Sequence, residues 1–164
     1  MKSLVVIAHD IRSTHNVGSL LRTADGLGVE KVYLTGYTPY PLKPGDTRLP
    51  HIAKKLDESI HKTALGAENT VNWEQADDVF TVLSRLREDG FTICALEQTT
   101  DAIDLSGFTA PEKCALLLGS EVTGVAAELL NKVDKSLVIP MFGKKESFNV
   151  VQAAAMALYQ LRFH

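Results

Sequence analysis

Continuous apolar runs alternate along the chain with amphipathic stretches, and the alternation predicts strand–helix units repeated from one end to the other. The runs at 4–8, 31–35, 91–96 and 114–118 read as strands. The alternation with helices is the pattern of a parallel α/β sheet covered on both faces, and the first run, 4–8, is continuous as a strand buried on both sides should be. Leu20, Leu21, Ala24 and Leu27 share one face of a predicted helix over 17–27 that Gly28 ends. Val79, Phe80, Val82, Leu83 and Leu86 mark another over 77–88, ended at Gly90. Weaker patterns give a short helix at 51–56, a weak strand near 70–73 and a short helix over 125–130. Residues 36–50 carry four prolines and two glycines, a loop long enough to be either functional or mobile.

The C-terminal stretch has a different character. A strand over 137–139 is stopped by Pro140, a polar loop follows through Gly143, Lys144, Lys145 and Glu146, and Ser147 is the expected cap of a helix over 148–162. Val150, Val151, Ala153, Ala154, Ala155, Met156, Ala157, Leu158 and Leu161 cannot share one stripe of that helix. It is therefore expected to be buried on more than one side, most easily with a second subunit covering the second side.

Composition narrows the class. The 164 residues are 45% hydrophobic, which is enough for one ordinary domain with a real core. The first seven residues are too short and too weakly charged for a signal peptide, and nothing approaches the roughly 20 apolar residues of a membrane span, so the cytoplasm is the default location. Cys94 and Cys114 sit in strand-like runs without CxxC spacing or a neighbouring histidine; they read as buried thiols, and no metal site is expected. With a formal net charge of −3, any surface for a phosphate-rich partner has to be local. Lys43, Arg48, His51, Lys54 and Lys55 form one candidate cluster and Lys144 with Lys145 another. Asp57 and Glu58 follow the first cluster at once, so it reads equally as a solvated charged face.

Three stretches carry more specific chemistry. Asn16-Val17-Gly18-Ser19-Leu20-Leu21-Arg22-Thr23-Ala24, Leu118-Gly119-Ser120-Glu121-Val122-Thr123-Gly124, and Ile139-Pro140-Met141 leading through Gly143 to Ser147-Phe148-Asn149-Val150 stand in that order. They resemble the three motifs of the SpoU or TrmH branch of the SPOUT methyltransferases, and the resemblance spans essentially the whole chain. It implies a C-terminal deep trefoil knot, which periodicity does not show. It also implies S-adenosyl-L-methionine as cofactor, methyl transfer to a ribose 2′-hydroxyl of tRNA or rRNA, and a homodimer through the C-terminal knot helix in which the arginine of one subunit faces the cofactor of the other. By position, Leu96, Gly119, Ile139, Met141, Ser147 and Phe148 would line the cofactor site, while Arg22, Asn16, Glu121, Ser147 and Asn149 would carry the chemistry.

Each of these residues also has a plainer reading. Ile139, Met141 and Phe148 suit an ordinary core, Ser147 and Asn149 suit helix capping, and Arg22 suits a surface pair with Asp25 three residues on. In the functional reading Arg22 lies four residues after Gly18, whose missing side chain would leave its guanidinium an open approach. Glu121 would fix either Arg22 or a loop amide, and Asn16 either Arg22 or a substrate hydroxyl. The family's arginine is often described as a base; a guanidinium ionises far above neutral pH, so binding the neighbouring phosphate and orienting the hydroxyl is the easier role. A dinucleotide site is the main α/β competitor, and no G-x-G-x-x-G follows the first strand.

Two departures from the family pattern stand out. Phe148 replaces the usual leucine, and Val151-Gln152 interrupts the small residues that normally follow Asn-Val. The chain is expected to form a single methyltransferase domain without an auxiliary RNA-binding domain, which leaves substrate choice to the 36–50 loop, the dimer surface or an accessory protein. The competing class is a catalytically inactive RNA-binding or assembly module of the same fold. Which RNA is used, and whether ribose or base is modified, stays open.

Overall fold

The computed structural model describes all residues, Met1–His164. Seven strands form one wholly parallel sheet: β1 (Ser3–His9), β2 (Lys31–Thr35), β3 (Trp73–Ala76), β4 (Thr92–Leu96), β5 (Ile103–Asp104), β6 (Lys113–Leu118) and β7 (Lys135–Val138). Their order across the sheet is β3-β2-β1-β6-β4-β7-β5. The five helices are α1 (Thr14–Gly26), α2 (Pro50–Ala64), α3 (Val79–Glu88), α4 (Ala127–Leu130) and α5 (Val150–Phe163).

The apolar runs are continuous because consecutive side chains feed two different cores. Leu4, Val6 and Ala8 of β1, with Cys114, Leu116 and Leu118 of β6, pack toward α1, α2 and α5. Val5, Ile7, Ala115 and Leu117 point the other way, onto Val79, Val82, Leu83 and Leu86 of α3 and Leu129 of α4. Cys94 and Cys114 are fully buried free thiols with sulfurs 3.7 Å apart. No helix is long and apolar enough to cross a membrane.

Local chemistry sets the helix ends. The Ser13 hydroxyl accepts from the Asn16 amide at the start of α1, and the Asp78 carboxylate accepts from the Phe80 and Thr81 amides at the start of α3. At α5 the cap is Asn149, whose Oδ1 accepts from the Val151 amide at 2.9 Å. Ser147, the expected cap, stands two residues earlier in an exposed loop. The helix itself begins at Val150 rather than 148.

Three other expectations shift. The short helix at 51–56 is the first half of α2, a 15-residue helix. Its buried residues Ala53, Ile60 and Ala64 form so narrow a stripe that the polar sequence hides it. The weak strand near 70–73 falls instead at Trp73–Ala76, an edge strand whose residues are all only partly buried; residues 67–69 form a 3₁₀ turn held by the Trp73 indole donating to the Glu68 carbonyl. The two-residue β5 has too little pattern to be seen in advance.

Gly18 serves packing. It is buried in α1 where α2 crosses, and a β-carbon there would overlap the Thr63 hydroxyl and the Ile60 carbonyl and come 2.9 Å from the Ala64 nitrogen. Its bare backbone is thus spent on helix–helix contact and does not open an approach for Arg22. The 36–50 loop is folded onto itself. Arg48 stacks on the Tyr40 ring, donates to the Tyr40 and Pro41 carbonyls and pairs with Asp46; Lys43 donates to Gln75. Those two members of the expected basic cluster are therefore occupied inside the protein, whereas His51, Lys54 and Lys55 remain exposed on α2.

Candidate functional site

The C-terminal ends of β4, β6 and β7 lie side by side, and the loops that leave them enclose a pocket of about 600 Å³. Ligands of open α/β sheets bind at this edge because strand ends bring backbone amides and short loops together there. All six residues predicted for the cofactor site line this pocket: Leu96 from β4, Gly119 after β6, and Ile139, Met141, Ser147 and Phe148 after β7. Glu121 and Asn149 line it as well.

Gly119 is required by its own loop. A β-carbon there would overlap the Gly124 carbonyl and sit 2.5 Å from the Val125 nitrogen, so the turn from Gly119 to Gly124 can close only on a bare backbone. The Ser120 and Gly124 backbones bond to each other across that turn.

Glu121 joins three elements. Its carboxylate accepts from the Arg12 amide at 2.9 Å, the Ser13 amide at 3.2 Å and the Asn16 side-chain amide at 2.9 Å. Asn16 Oδ1 in turn accepts from Asn149 Nδ2 at 3.2 Å. A chain of polar contacts thus runs from the loop after β6, through the N-terminus of α1, to the N-cap of α5. Burial raises the Glu121 pKa, but the hydrogen bonds from Arg12, Asn16 and Ser13 outweigh it and hold the carboxyl below its ordinary range. Of the two expected partners, loop amide or Arg22, the loop amides are the ones observed.

Arg22 lies elsewhere. Six residues along α1 from Asn16, roughly 9 Å by helical rise, it is exposed and borders a separate shallow depression with Asp25, Leu65 and Thr70. The expected pair with Asp25 does not form; that carboxylate accepts from the Thr70 hydroxyl at 2.8 Å. Within this chain, then, Glu121, Ser147 and Asn149 line the pocket, Asn16 is bonded to Glu121 and Asn149, and Arg22 lies apart.

The lining also includes Glu97, Gln98 and Glu146, which sequence reading did not single out. The available signal for the first two was their place directly after the β4 strand end. The lining holds three glutamates, no lysine or arginine, and the apolar Leu118, Leu137, Ile139 and Met141; Glu146 pairs with the neighbouring Lys145 at 3.0 Å. Such a lining fits a ligand with an apolar ring and a positive charge.

The SpoU rRNA Methylase family matches residues 3–159. The chain is 28% identical over 159 residues to a tRNA (guanosine(18)-2′-O)-methyltransferase of Borreliella burgdorferi; the match covers 96% of this chain and 65% of that protein. The solved structure of the Aquifex aeolicus TrmH/SpoU tRNA modifying enzyme aligns with a TM-score of 0.80 at 25% identity, covering 99% of this chain and 75% of that one. A Sinorhizobium meliloti rRNA methyltransferase solved with S-adenosylmethionine bound shares the fold, with a TM-score of 0.79 at 20% identity, covering 98% of this chain and 56% of that one. The chain thus spans less than two thirds of the Borreliella protein.

Proposed function

This chain belongs to the SpoU rRNA methylase family, and we propose that it is an S-adenosylmethionine-dependent methyltransferase acting on a ribose 2′-hydroxyl of tRNA or rRNA. The observation that carries the reading is the pocket itself, which the loops leaving β4, β6 and β7 enclose and which Leu118, Leu137, Ile139 and Met141 line without any lysine or arginine. A nucleoside carrying a sulfonium suits that lining, whereas a phosphate chain would find no basic side chain in it. The relatives support RNA as the substrate class, since the Borreliella protein is named for a tRNA ribose and the Sinorhizobium protein for rRNA.

When bound, the cofactor supplies an electrophilic methyl carbon. The chain's own residues then align the acceptor oxygen and help remove its proton. Ile139 and Met141 would wall the adenine, and Asn16 with Asn149, held by Glu121, would fix the ribose at the pocket mouth. Arg22 binds the phosphate beside the target and orients the hydroxyl of a neighbouring subunit's substrate, a role that its exposed position on α1 supports. The dimer this requires is supported by α5, which exposes Met156, Tyr159 and Phe163 along one stripe while Ala154, Ala157, Leu158 and Leu161 are buried. The deep knot belongs to the same reading: β7 enters the sheet between the earlier strands β4 and β5, so α5 follows a late strand inserted among older ones. We place the protein in the cytoplasm, where Cys94 and Cys114 stay reduced.

A second reading is an inactive RNA-binding or assembly module of the same fold. Calorimetric titration with S-adenosylhomocysteine, run beside sedimentation, separates the two. One site per subunit of a dimer is expected; a folded dimer that binds none would overturn the methyltransferase reading in favour of the module.

A further inference from the structure

We propose that Glu97 and Gln98, at the end of β4, are positioning residues that staple the other two cofactor loops into their binding shape. The proposal rests on the cofactor reading of the pocket and on contacts independent of it. Glu97 begins where β4 stops, its own amide bonded to the Leu137 carbonyl of β7 at 3.0 Å. Its Oε2 accepts from the Val125 amide at 2.8 Å, beyond the turn that follows β6. The same carboxylate fills the space over Gly124: a β-carbon there would overlap Glu97 Oε2, and Gly124 has a φ of +67° that disfavours a side chain anyway. Glu97 Oε1 accepts from the Gln98 amide at 2.9 Å, which sets the carboxylate's orientation. On the other side, Gln98 Nε2 donates to the Glu146 carbonyl at 3.0 Å, in the loop that follows β7.

Both residues line the pocket, and so do Gly124 and Glu146, the places they hold. Two loops in which most residues are exposed have little packing of their own to define them. A cofactor recognised through backbone groups depends on where those groups stand, so the staple acts on binding through the loops, and its loss mainly weakens cofactor affinity. Glutamate suits the task because one carboxylate can take an amide on each oxygen.

The test compares Glu97→Ala, Glu97→Gln and Gln98→Ala with the unaltered protein, using S-adenosylhomocysteine titration, thermal melting and hydrogen exchange at the Val125 amide. Glu97→Ala is expected to weaken binding at least tenfold and to lose protection at Val125, with melting within a few degrees. Glu97→Gln keeps an oxygen for Val125 and should restore most of the affinity. In turnover, the alanine variant should raise KM for the cofactor with kcat at saturation largely kept. Unchanged affinity and unchanged Val125 protection in Glu97→Ala would overturn the proposal, as would a Glu97→Gln variant no better than alanine. Should the unaltered protein bind no S-adenosylhomocysteine, the cofactor reading fails by itself, and retained Val125 protection in Glu97→Ala would then overturn the staple separately.

Discussion

At the scale of single residues, the site is tied together by side chains that answer backbone amides. Glu121 takes two amides where α1 begins and the Asn16 side chain besides, and it places negative charge at a helix N-terminus. Because its folded pKa is lowered, its contribution is complete above the unfolded carboxyl value, about 4.3, and is lost as pH falls through the lower folded value. Glu121→Gln is therefore expected to cost about 1 kcal/mol at neutral pH, the worth of a helix cap. The deficit should shrink toward zero as acid protonates the native glutamate, which melting curves from pH 7 to pH ~3.5 would show. A difference constant with pH would mean that the carboxylate's charge is irrelevant. The identity of Glu121 was legible in the sequence because it follows a strand end. Its partners were not, because no spacing rule relates residue 121 to residues 12, 13 and 16.

At the scale of elements, strong periodicity placed β1, α1, β2, α3, β4 and β6 within a few residues, while α2 and β3 were misjudged where burial is thin. The join between α1 and α2 rests on Gly18. A methyl group there would strike backbone atoms that cannot swing aside, costing about 3 kcal/mol at the upper end of overpacking. Better helix propensity returns about 1 kcal/mol. Gly18→Ala should thus lose roughly 2 kcal/mol, lowering Tm by about 4–8 °C. Gly26→Ala is the control, since a β-carbon there meets nothing within 4 Å. Equal melting of the two variants would contradict the packing role. The sequence showed Gly18 as a gap on the helix surface; what fills the gap is α2, whose path across α1 no local pattern records.

At the scale of the whole molecule, the parallel sheet was readable because two-sided burial leaves unbroken apolar strands, yet the order β3-β2-β1-β6-β4-β7-β5 was not, since strand neighbours are chosen by tertiary packing. The pocket was legible through the motifs that end β6 and β7, and the missing share, Glu97 and Gln98, belonged to no motif. In the proposed dimer, Arg22 takes its meaning from a second chain. It stands outside the pocket that Gly119, Glu121, Ser147 and Asn149 line, and the dimer proposed through the exposed stripe of Met156, Tyr159 and Phe163 would bring it to a neighbouring pocket. The most direct measurement is transfer of label from methyl-tritiated S-adenosylmethionine to tRNA and rRNA from cells lacking this protein, followed by alkaline hydrolysis. Label in alkali-resistant dinucleotides, abolished by Arg22→Ala with S-adenosylhomocysteine binding intact, is the predicted result. No incorporation, or label released in alkali-sensitive mononucleotides, would contradict ribose 2′-O-methylation.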